Sequence, residues 1–168
     1  MIRLLSWNTK DPNTAGLLRL ADAFQVDRVA FVRKPKKWGA AVGTQGRVPY
    51  EVTNDPYPLL ERWISDGFPV FAVEQADEAE ILGRCLFPEH CTLVLGNEGG
   101  GVPPAVLTLA HTIVEIPQWG EVASLNVATA GAIVLYEWAR QWRMDAQRSR
   151  NAWRKRHGLQ HGAGVSAS

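Results

Sequence analysis

"LVLGNEGGGVPP", residues 93 to 104, joins an apolar run to a glycine-rich loop and then to a pair of prolines. The run reads as a buried strand. Pro103 and Pro104 stand where a helix should begin, because a first-turn proline lacks only an N–H that would go unpaired anyway. Strand, loop and helix in that order form the repeating unit of a parallel α/β fold. Glycine costs backbone entropy at each position, so a loop with Gly96, Gly99, Gly100 and Gly101 implies a need for bare backbone.

Outward from this unit the same alternation repeats. Apolar runs at 2–7, 28–32, 68–74, 92–96 and 111–117, with a weaker one at 47–52, read as strands. Helical patterns fall at 14–25, 57–66, 76–84, 103–110 and 125–143. The strand runs are nearly continuous in apolar residues, as expected where both faces of a sheet are covered. The expected fold class is therefore α/β, a mostly parallel sheet with helices on both faces. Asn13 precedes the first helical stretch and Ser124 the last, and the side-chain oxygen of either residue type caps free N–H groups. In the last stretch Ala128, Ala130, Gly131 and Ala132 form a smooth patch, suited to packing within the chain or against a second subunit.

The 168 residues suffice for a proper core, and 46% hydrophobic with 21% charged residues excludes wholesale disorder. One domain over residues 1–145 is expected, followed at 146–168 by a basic tail, ending rich in Gly, Ser and Ala, with no fixed structure. Cys85 and Cys91 are too few for a disulfide framework and have no metal-ligand spacing, so no metal is expected. No apolar run approaches the roughly 18 residues of a membrane helix, and "MIRLLSWNTKDPN" has no leader-like apolar core. A cytoplasmic protein away from the membrane is the expectation. Net charge is only +1, yet seven Arg or Lys between Arg140 and His157 face Asp145 alone, and "RKPKKWG" at 33 to 39 adds a second basic cluster. Local basicity on a near-neutral chain points to a polyanion partner.

In open α/β sheets, ligands bind beyond the carboxyl ends of the strands. Three loops there carry chemistry: "NTAGLLRLADAF" (13 to 24), the glycine-rich stretch, and "IPQWGEVASLN" (116 to 126). The glycine loop is not a P-loop, since no Lys follows Gly101. Nor does it have the G-x-G-x-x-G spacing of a dinucleotide site early in a βαβ unit. With one Asn, one Glu and no cation it suits a ligand read by backbone N–H and C=O groups, such as an adenine ring and a ribose; a plain turn is the other reading.

Together, "LVLGNEGGGVP" and "IPQWGEVASLNVATAGAIVLYE" resemble the second and third motifs of the SpoU/TrmH family, RNA ribose 2′-O-methyltransferases of the SPOUT superfamily. "NTAGLLRLADAF", with Asn13 and Arg19 six residues apart, resembles the first. The likeness spans about residues 2 to 142 and holds the three motifs in order. "GFPVFAVEQ" and the compact length look closest to members that methylate the D-loop guanosine ribose of transfer RNA.

The resemblance implies a deep trefoil knot at the C-terminal side of the sheet, a rare exception to the rule against threaded chains. Its crevice would hold a bent S-adenosylmethionine, and Leu95, Gly96, Asn97, Gly101, Ile116, Pro117, Ser124 and Leu125 match the cofactor-lining stretches. Arg19 matches the family's catalytic arginine, while Asn13, Glu98, Ser124 and Asn126 match positions that organise the catalytic site. The implied reaction moves a sulfonium methyl group to a ribose 2′-hydroxyl, and the implied assembly is a homodimer whose sites use both subunits. Transfer RNA is the expected substrate, with ribosomal RNA as the alternative, and a non-catalytic RNA-binding module as the alternative from another class. Gln25 and Leu20 stand where Gly and Thr are common in the family, and Gly100 where a charged or polar residue is usual. Substrate capture would fall to the basic clusters, with Trp142 and Trp153 as platforms for bases.

Overall fold

The computed structural model describes residues 1–7, 11–32, 46–97 and 99–143. The basic cluster at 33–39, Glu98 and the tail from residue 144, including Trp153, lie outside the described residues. Seven strands form one sheet: β1 (Ile2–Ser6), β2 (Arg28–Val32), β3 (Tyr50–Thr53), β4 (Val70–Val73), β5 (Glu80–Ile81), β6 (Cys91–Leu95) and β7 (Thr112–Glu115). Their order is β3-β2-β1-β6-β4-β7-β5, and each neighbouring pair runs parallel. The helices are α1 (Asp11–Ala23), α2 (Tyr57–Ser65), α3 (Pro104–Leu107) and α4 (Val127–Trp142).

Successive strand residues face opposite sides of a sheet, so each apolar run feeds two cores. Leu4 of β1, Phe71 of β4, and Leu93 and Leu95 of β6 pack with Leu17 and Leu18 of α1 and with Val134, Leu135 and Trp138 of α4. Their neighbours Leu5, Val70, Ala72 and Val94 join Leu59, Leu60 and Trp63 of α2 and Val106 of α3 on the other face. Full burial of such a side chain contributes about 1.5–3 kcal/mol. The smooth patch of α4 meets α1. A Cβ on Gly131 would lie 3.0 Å from Leu17 Cδ2 and from Leu95 Cδ1, and a Cβ on Gly16 would lie 3.2 Å from that of Ala128.

Several expectations are corrected. Residues 76–84 are not a helix: they turn and contribute the two-residue strand β5, and Leu82 N–H donates to Glu115 O (2.9 Å) to extend the ladder with β7. Pairing with a distant strand overrides the local helical preference there. The helix expected over 103–110 is the single turn α3, closed by tighter bonds from Leu109 N–H to Val106 O and from Ala110 N–H to Leu107 O. Helix α1 opens at Asp11, which places Asn13 inside its first turn rather than ahead of it as a cap. At its far end Gln25 has φ 53°, and Val26 N–H bonds back to Ala21 O (2.8 Å). This left-handed position penalises a Cβ and would suit glycine better than Gln25.

Cys85 and Cys91 are both buried and free. Burial pushes both thiols up to about 12, with Glu80 adding to the effect at Cys85. Neither is poised as a nucleophile, which requires a thiolate. No helix among the described residues is long and apolar enough to cross a membrane.

Candidate active site

The carboxyl ends of the adjacent strands β6, β4 and β7 open onto a cavity of about 260 Å³. Past β6 its wall is Leu95, Gly96, Asn97, Gly99 and Gly101; past β7 it is Ile116, Gln118, Ala123, Ser124 and Leu125. Val73, Glu74 and Gln75 line it past β4, and Val127 and Ala130 close it from the start of α4. Of the residues matched to cofactor-lining stretches, all but Pro117 therefore line one space. The setting is the one α/β sheets use for ligands.

The glycine loop is closed on itself. Asn97 and Gly101 exchange backbone bonds, Asn97 N–H to Gly101 O at 3.2 Å and Gly101 N–H to Asn97 O at 2.9 Å. Asn97 Oδ1 accepts from the N–H groups of Gly99 (2.9 Å) and Gly100 (2.7 Å), so its side chain holds the turn. Only part of the glycine run is sterically required. A Cβ on Gly96 would fall 2.1 Å from Gly101 C and 2.4 Å from Val102 N, and Gly101 has φ +61°, whereas among the described residues Gly99 and Gly100 would meet only the Asn97 side chain, at 3.5 Å or more.

Asn126, rather than Ser124, caps α4: its Oδ1 accepts from Ala128 N–H (3.0 Å) and Thr129 N–H (3.2 Å). Ser124 lies two residues too early and is exposed on the cavity wall. The amide of Asn126 also reaches across to α1, Nδ2 donating to Asn13 Oδ1 at 2.8 Å. One side chain thus ties the first turn of α1 to the start of α4. Asn126→Ala removes the cap and a donor to the buried Asn13, and is expected to lower unfolding free energy by about 2 kcal/mol in a denaturant titration. Arg19 lies on the same helix as Asn13, exposed, and is not among the cavity-lining residues.

Sequence reasoning missed Glu74, Gln75 and Gln118. The available signal was position: Glu74 and Gln75 directly follow a strand that ends in the middle of the sheet. The basic stretch from Arg140 begins with residues already engaged. Arg140 makes two bonds to Glu137 (2.7 and 2.8 Å) and holds that carboxyl below its usual range. Arg143 donates to Phe24 O (2.9 Å) with its guanidinium carbon 4.7 Å from the Trp138 ring centre. Trp142 is half exposed but anchored through Nε1 to Phe87 O (2.8 Å).

Comparison with known proteins agrees with this geometry. The model of the SpoU rRNA Methylase family matches residues 1–136. A tRNA (guanosine(18)-2′-O)-methyltransferase of Mus musculus is 39% identical over 82 residues, 49% of this chain and 5% of the mouse protein. The crystal structure of the A. aeolicus TrmH/SpoU tRNA modifying enzyme superposes with a TM-score of 0.79 at 25% identity, covering 95% of this chain and 90% of that one. An AdoMet-bound rRNA methyltransferase from Sinorhizobium meliloti gives 0.70 at 25% identity, covering 84% of this chain and 56% of that one. The chain thus spans a small part of the mouse protein and little more than half of the Sinorhizobium chain. With the motif order, the parallel sheet and the cavity at its carboxyl edge all in agreement, the chain belongs to the SpoU rRNA methylase family.

Proposed function

We propose that this chain is an S-adenosylmethionine-dependent RNA methyltransferase acting on a ribose 2′-hydroxyl. The observation that carries this reading is the cavity in which the second and third motifs meet at the carboxyl ends of β6 and β7. Its lining suits the cofactor: Val73, Leu95, Ile116, Leu125 and Val127 offer apolar walls for a flat ring, and Gln75, Gln118 and Ser124 offer polar groups. Around Gly96 and Gly101 a side chain would collide with its surroundings, which leaves backbone as the surface offered to a ligand.

When bound, S-adenosylmethionine supplies an electrophilic methyl group carried on sulfur. The protein's part is to align the sugar oxygen with it and to favour loss of the hydroxyl proton. A guanidinium is protonated at any working pH, so Arg19 is no simple base. In this reading it holds the adjoining phosphate and stabilises negative charge growing on the 2′-oxygen, while that phosphate or a water takes the proton. Asn13 and Asn126 fix α1, and with it Arg19, relative to the cavity.

Transfer RNA is the substrate we favour, at the D-loop guanosine, supported by the mouse relative's specificity and by the "GFPVFAVEQ" likeness. The same reading includes a trefoil knot around the cavity and a domain over residues 1–145 with a separate basic tail at 146–168. It also includes a cytoplasmic homodimer, for which exposed Trp119 and Val122 beside the cavity offer apolar surface. Labelled S-adenosylmethionine incubated with pooled unmodified transfer and ribosomal RNA tests it. Label in transfer RNA, mapped to a ribose 2′-oxygen, is the expected result. RNA binding without incorporation would leave a binding module instead.

A further inference from the structure

Glu74 sits where three strands end. Its N–H continues the ladder to Val114 O of β7 (3.1 Å), and it follows Val73, which pairs with Leu95 of β6. Its side chain crosses to the glycine loop, where Oε2 accepts from Val102 N–H at 2.7 Å, while Oε1 accepts from Gln75 N–H at 3.0 Å. Gly101 makes room for it: a Cβ there would lie 2.2 Å from Oε2. The carboxylate is held from two sides and faces the cavity wall, and it is the sole ionisable side chain among the described lining residues.

A neutral amide would suffice to accept from Val102 N–H, although its one oxygen would leave the bond from Gln75 N–H unmade. A carboxylate adds a negative charge to the cavity wall, and it has no proton to offer a ligand's acceptors. We propose that Glu74 is a specificity-determining residue of this cavity, favouring a ligand that carries positive charge on sulfur over the product, whose sulfur is uncharged. This rests on the cofactor reading above and adds to it: the charge lost with the methyl group also removes an attraction, so the spent molecule is held less firmly than the fresh one.

The test is calorimetric binding of S-adenosylmethionine and S-adenosylhomocysteine to wild type, Glu74→Gln and Glu74→Asp, with the ratio of the two dissociation constants as readout. Glu74→Gln keeps an oxygen for Val102 N–H but removes the charge, and is expected to shift the ratio toward the product by about tenfold. Glu74→Asp keeps the charge, and its ratio should stay within about threefold of wild type even if both affinities fall. An unchanged ratio in Glu74→Gln, or the same shift in both variants, overturns the proposal, since a purely structural clamp weakens both ligands alike. If Glu74→Gln does not fold, Glu74→Ala, which also removes the charge, takes its place: the same shift toward the product is expected, and an unchanged ratio overturns the proposal. A wild-type protein that binds neither ligand removes the cofactor reading itself, a failure distinct from these.

Discussion

Gly96→Ala is expected to abolish cofactor binding, lowering affinity for S-adenosylmethionine by at least about a hundredfold and stability by roughly 2–4 kcal/mol. The new methyl would lie 2.1 Å from Gly101 C, 2.4 Å from Val102 N and 2.5 Å from Gly101 O. All three are backbone atoms, so no rotamer change relieves the overlap. The two sides of the loop would have to separate by more than an ångström, breaking the Asn97 and Gly101 exchange and pulling Val102 N–H from Glu74. Those bonds shape the cavity wall past β6. Gly99→Ala and Gly100→Ala are the controls, because a Cβ there meets Asn97 side-chain atoms at ordinary contact distance. Each should melt within a few degrees of wild type and bind the cofactor within about threefold. Equal damage from all three substitutions would mean that the loop needs glycine for conformational freedom, and the crowding argument would be lost.

This difference among neighbouring glycines marks how far the sequence could be read. The α/β architecture was legible because short, nearly continuous apolar runs such as those around Leu93 and Val70 alternate with helical patterns, and a parallel sheet follows from that alternation. The loops carrying Gly96 and Ser124 were legible for the same reason, since they follow strands, whereas Asn13 belongs to the first turn of α1. What escaped depends on partners far away in sequence. Residues 80–81 form a strand because β7 passes beside them. Glu74 holds a loop 28 residues away. Ser124 and Asn126 are equally good capping types, and the choice falls on Asn126 because α4 starts at Val127 and because the other end of the amide finds Asn13. Even the glycine run hides its division of labour, since only the approach of Gly101 and Val102 makes Gly96 indispensable.

The second large effect is expected at Arg19, where Arg19→Ala should lower the turnover number by at least about a hundredfold while S-adenosylmethionine affinity stays within about twofold. The split follows from position: Arg19 is exposed on α1 and is not among the cavity-lining residues, so its removal leaves the cofactor's surroundings intact. In the proposed mechanism its charge acts on the other reactant. A ribose 2′-hydroxyl is a weak acid, and the oxygen gains negative charge as it meets the methyl group. A fixed cation beside it stabilises the transition state more than the neutral ground state, which is the condition for raising turnover rather than affinity alone. Arg19→Lys keeps a charge but loses the planar fork that grips a phosphate by two bonds, and is expected to fall between wild type and alanine. Turnover on pooled unmodified RNA, with cofactor binding measured separately, checks both variants. Loss of cofactor affinity in step with turnover would place Arg19 in the cavity after all, and unchanged turnover would remove it from the chemistry.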